Sequence, residues 1–183
     1  MTTTTTPVAA TTAPPPRRLY VVRFGFALVW AVLLFATASS IGAVSAILLV
    51  LYPVFDVAAA VVDARSSRTA TPGLYVNIAV SALAAIGLAV ALASGIPAVL
   101  QVWGVWAVAA GIVQLVVAVR RRRWGGQWAM IASGSISVLA GVSFVLMASN
   151  PGASLVALAG YALLGGIFFG VSALRLGRTA GRD

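Results

Sequence analysis

The stretch IPAVLQVWGVWAVAAGIVQLVVAVRRRR, residues 96–123, decides the fold. Its first 24 residues carry no charge, and four consecutive arginines, Arg120, Arg121, Arg122 and Arg123, then end it. An apolar run of this length matches the roughly 17–25 residues with which a helix crosses a hydrocarbon core of about 30 Å. The arginines mark where such a helix leaves the membrane.

Working outward, the same pattern returns along the chain. Five further apolar runs lie at 19–38, 41–62, 74–93, 128–148 and 153–174, separated by short polar breaks. Of the 183 residues, 61% are hydrophobic and 8% charged, with a mean hydropathy of +1.06. Soluble domains run nearer about 45–50% apolar and about 25% charged. A core built from this chain cannot hide so much apolar surface, so the remainder faces lipid. Runs such as 82–93 lack the period-two alternation of a barrel wall, which leaves helices as the spanning element. The expected fold is an all-α polytopic membrane protein with six transmembrane helices over 19–176. A Thr-, Pro- and Ala-rich tail at 1–18, read as disordered and not as a cleavable signal, precedes it, and a short C-terminal tail at 177–183 follows.

Every basic residue is Arg and every acidic one is Asp; Lys, Glu, His and Cys do not occur. The chain therefore offers no thiolate or imidazole for catalysis or metal binding. The net charge of +9 has a simple geometry. Arg17, Arg18 and Arg23 precede or open the first span, Arg65 and Arg68 follow the second, the run at 120–123 follows the fourth, and Arg175, Arg178 and Arg182 follow the sixth. The alternate loops, near Ser39, Ser94 and Ser149, are short and uncharged. By the positive-inside rule both termini are cytoplasmic. Trp124, Trp128, Tyr20 and Tyr75 sit at the same face as an aromatic belt would.

Sliding the chain against itself by 55 residues superimposes helix pairs three times, over about 19–68, 74–123 and 129–178. Ala38, Ala93 and Ala148 align at the turns, as do Ser39, Ser94 and Ser149; Arg65, Arg120 and Arg175 align at the other end, followed by Arg68, Arg123 and Arg178. Each unit holds two spans, so successive units keep one orientation. The expected architecture is three tandem helical hairpins in a pseudo-threefold ring. Small-residue spacings at Gly166 and Gly170, at Ser133, Ser137 and Gly141, and at Ala107 and Gly111 suit close helix packing, either within one copy or between copies of a homo-oligomer.

Asp56 lies within the second span, and an intramembrane carboxylate is expensive enough to mark a site. Counting from the turn between Ser39 and Ser40, Arg23 and Asp56 are each about 16 residues away, hence at equal depth on neighbouring antiparallel helices. The repeat equivalents of Arg23 are Ile78 and Ser133, and those of Asp56 are Gly111 and Gly166. The two charges thus occur together in one unit and in neither of the others, as an ion pair requires. Its simplest role is a staple closing the first hairpin; the alternatives are a proton- or substrate-linked role for Asp56, and an Arg23 that snorkels to the cytoplasmic interface without a partner. Tyr52, Asn77, Gln101 and Gln114 are further polar candidates within spans, suited to interhelical hydrogen bonds or to a pathway. Pro53 is expected to kink the second helix beside Tyr52.

Missing chemistry narrows the function. Asp56 and Asp63 are about 10 Å apart along one helix, unlike a shared two-aspartate site. No phosphate-binding loop follows Gly165 and Gly166. No cofactor and no nucleic acid are expected, and the basic run at 120–123 suits anionic lipid headgroups.

The six spans in three units, with LYPVFD at 51–56, VWGVWAVAAGIVQ at 102–114 and GQWAMIASG at 126–134, resemble the HdeD-like family of small bacterial membrane proteins. The resemblance implies an inner-membrane protein, linked in some members to acid resistance, with no established chemical activity and no catalytic residues to carry over. The expected function is thus non-enzymatic, either structural or in envelope and acid stress. A small-solute or proton transporter or channel with Asp56 in its path is the alternative.

Overall fold

The structure, a computed structural model, describes residues 17–66, 72–120, 122 and 127–179. The expected N-terminal tail before residue 17, the last four residues, and Arg68, Arg121, Arg123 and Trp124 lie outside the described residues. Six long helices make up the molecule: α1 (Arg17–Ala36), α2 (Ala43–Ser66), α3 (Pro72–Ala91), α4 (Ile96–Arg120), α5 (Trp128–Met147) and α6 (Val156–Thr179). All six are long and apolar enough to cross a membrane, and at most 33% of the most apolar stretch of any span is buried inside the molecule. The outward faces are therefore mostly lipid-compatible side chains, such as Val32, Leu83, Val90 and Leu139. The protein is a multi-pass helical membrane protein.

Local chemistry sets the helix ends. Ser45, two residues into α2, accepts the Gly42 N–H at 2.9 Å and so caps an otherwise orphan donor. Between α3 and α4 the chain tightens into a 3-10 turn (Leu92–Ser94) and reverses at Gly95, whose φ of 87° suits a residue without a Cβ. The turns at 37–42, 92–95 and 148–155 share one end of the bundle; Arg65, Arg120, Arg122 and Arg175 share the other.

Each helix packs against its chain neighbours, and α6 closes on α1, so contacts run round a ring. The most extensive contacts join α4 to α5 and α1 to α6. Glycine makes the first of these. A Cβ built on Gly141 would stand 2.5 Å from the Gly104 carbonyl oxygen, and one on Gly111 would stand 2.7 Å from that of Gly134. The pairs are seven residues apart on both helices, so two turns of backbone touch on one antiparallel seam. On the α1/α6 seam, Gly166 faces Ala27 and Gly170 faces Phe24. The small-residue spacings on α4, α5 and α6 thus pack inside one copy of the chain.

Between α1 and α2, α3 and α4, and α5 and α6, aromatic donors bridge the two helices. Trp30 of α1 donates to the Leu48 carbonyl of α2 at 2.6 Å, Trp106 of α4 to Ser81 of α3 at 3.1 Å, and Tyr161 of α6 to Ser137 of α5 at 2.9 Å. Pro53 lies inside α2, where it removes the donor for the Leu49 carbonyl and crowds the preceding turn. The Trp30 indole reaches into that same turn. At the centre, Trp30, Tyr52, Trp103 and Trp106 contact one another with ring centroids 4.7 to 6.0 Å apart. Leu34, Leu49, Leu88, Leu100, Leu155 and Leu158, all fully buried, complete the core.

Candidate functional site

The intramembrane charges meet in this ring. Arg23 is thirteen residues from the end of α1 and Asp56 thirteen from the start of α2, so each lies about 20 Å along its helix from their common turn. Arg23 Nη2 stands 3.6 Å from Asp56 Oδ1, with the side chains 17% and 22% exposed. The other oxygen, Asp56 Oδ2, accepts from Asn77 Nδ2 at 2.9 Å and from Ser81 Oγ at 2.8 Å, both on α3. Asn77 and Ser81 are one helical turn apart and so face α2 together. Ser81 in turn accepts the Trp106 indole N–H. Because an indole nitrogen only donates, Ser81 keeps its own proton for the carboxylate. The network therefore runs one way, from α4 through α3 into Asp56, while α1 approaches from the opposite side.

Arg23 is held by more than charge. Its guanidinium carbon lies 5.1 Å from the centroid of the Phe169 ring of α6, a cation–π geometry. Phe26 and Phe55 stack at 3.7 Å beside it. Arg23, Phe26, Tyr52, Phe55, Asp56 and Phe169 line a cavity of about 10 Å³. Arg23 Nε is buried and has no hydrogen-bond partner among the described residues.

Of the polar residues singled out in the sequence, Arg23, Asp56, Tyr52 and Asn77 gather here. Gln101 does not. It lies on the exposed surface five residues into α4, about 8 Å from the short-turn end and far above Asp56 in depth. Gln114 belongs to the α4/α5 seam, where its Cβ lies against Gly134 and its Oε1 is buried with no hydrogen-bond partner among the described residues. Ser81, Trp106 and Phe169 are members that the sequence did not single out. Ser81 had a legible signal, since it follows the amide of Asn77 by one turn; Trp106 and Phe169 look like any apolar ring in a span.

The arrangement surrounds one intramembrane carboxylate with two hydrogen bonds and an adjacent cation. Among the described residues no group of three or more His, Cys, Asp or Glu side chains gathers as a metal site would require. A second cavity, of about 350 Å³, lies on the outer face of the α4/α5 seam, lined by aliphatic side chains including Val105, Ile112 and Leu146. Set against known proteins, the chain matches no family model, no curated protein and no solved structure.

Proposed function

We propose that this is a non-enzymatic membrane protein of the HdeD-like type, acting structurally in the bacterial inner membrane and in its tolerance of envelope and acid stress. The observation that carries the structural reading is the closed bonding of Asp56, which spends both oxygens on Arg23, Asn77 and Ser81 and so ties α1, α2 and α3 together. The ring centre beside it is filled by Trp30, Tyr52, Trp103 and Trp106, which is the packing of a core and not of a water-filled path.

A pseudo-threefold arrangement of hairpins is part of the proposal. Burial recurs in the 55-residue register: Ser45, Leu100 and Leu155 are buried, as are Leu48, Trp103 and Leu158, and likewise Leu49, Gly104 and Ala159. Trp106 and Tyr161, 55 residues apart, each donate to a serine on the preceding helix, and this match and the contact of α6 with α1 support the same reading; Trp30 bridges the first pair from the other helix. The arginines at one end support cytoplasmic termini and contact with anionic headgroups there.

Proton flux into proteoliposomes tests the functional reading. Protein-free vesicles, the parent chain and Asp56→Asn are expected to leak alike; flux in the parent that Asp56→Asn abolishes replaces the structural reading with transport through Asp56.

A further inference from the structure

The Arg23/Asp56 contact is peculiar in one respect. Charge-assisted N–H···O bonds run about 2.7–2.9 Å, yet the closest approach here is 3.6 Å. A polar contact wider than about 3.5 Å raises the question of a bridging water. Arg23 Nε adds a second sign, because it is a buried donor with no acceptor among the described residues, on a side chain that cannot shed its proton. The third is space. The cavity of about 10 Å³ is lined by both members of the pair, and one water needs about 10–15 Å³ with two to four polar partners. Tyr52 is the one lining residue with a neutral hydroxyl.

From these we infer that the cavity is a binding site for a single water molecule, which accepts from Arg23 Nε, donates to Asp56 Oδ1 and turns its remaining valence toward Tyr52. The pair is then bridged by solvent. Size excludes an organic ligand, and the facing carboxylate repels an anion. The walls, Phe26, Phe55 and Phe169, offer water no further partner, so the site holds one molecule and not a chain of them. The inference stands apart from the functional reading: a bridged pair is compatible with either absence or presence of proton flux.

Water-edited solid-state NMR on the full chain in lipid bilayers, with ¹⁵N-labelled arginine, tests it. Magnetisation transfer from water to the Arg23 Nε proton is expected, at a rate comparable to that of the exposed Arg122 side chain. Arg23→Lys, which lacks the ε nitrogen, identifies the signal by its loss. Should that variant not fold, contacts of the same signal to the Phe169 ring identify it in the parent. An Arg23 Nε signal that receives no transfer from water while Arg122 does overturns the inference.

Discussion

Replacing Asp56 by leucine strands three donors at once: the Arg23 guanidinium, Asn77 Nδ2 and Ser81 Oγ. Each neutral donor left without an acceptor costs about 1–3 kcal/mol, and breaking a buried ion pair about 3–5 kcal/mol. The two charges keep 17% and 22% of their exposure, so the lower ends of these ranges apply, and Asp56→Leu is expected to lose about 5 kcal/mol. Arg23→Met leaves Asp56 with both α3 hydrogen bonds and is expected to cost less, about 2–3 kcal/mol. The double variant strands only Asn77 and Ser81. It should therefore be more stable than the sum of the single losses predicts, by well over the roughly 0.5 kcal/mol within which independent sites add. Equilibrium unfolding, by titrating SDS into mixed micelles, reads all four corners of the cycle. Additivity within about 0.5 kcal/mol would refute the claim that the two charges interact.

The glycine seam makes a second prediction. Gly141→Val forces a side chain to within 2.5 Å of the Gly104 carbonyl oxygen, and a loss of about 1–3 kcal/mol or more is expected, whereas Gly160→Ala, whose added methyl meets nothing within 4 Å, should unfold like the parent. Trp30→Phe keeps a ring in the aromatic cluster but removes the donor to the Leu48 carbonyl; a loss of about 1 kcal/mol is expected by the same titration. The absence of cysteine permits a clean test of topology. Ser39→Cys, Ser94→Cys and Ser149→Cys should each react with a membrane-impermeant maleimide on intact cells, and Ser66→Cys, at the end of α2, only after the membrane is opened; the reverse pattern inverts the proposed orientation.

What the sequence disclosed about this molecule follows from what each signal depends on. The six spans were legible because span length is fixed by membrane thickness, and the helices begin within three residues of the apolar runs and end within five. The encounter of Arg23 with Asp56 was legible because depth along an antiparallel hairpin is simple counting from the turn. Rotation was not. In helices that are apolar all round, no stripe says which side faces a neighbour, so Gln101 was grouped with the intramembrane candidates although it sits on the surface near a helix end. For the same reason Trp106 gave no warning that it continues the hydrogen-bond chain through Ser81 into Asp56. The glycines of α4 and α5 showed suitable spacing, but only their facing carbonyls reveal that the seam lies within one copy of the chain.

The central claim is that Asp56 binds helices together and carries nothing across the membrane. Its most direct test is proton flux under an imposed pH gradient, in proteoliposomes that hold equal amounts of the parent or of Asp56→Asn. The variant keeps an acceptor oxygen for Asn77 and Ser81 and so should still fold. The account predicts the same background leak in both preparations as in protein-free vesicles; a parent flux above that background, lost in Asp56→Asn, would contradict it.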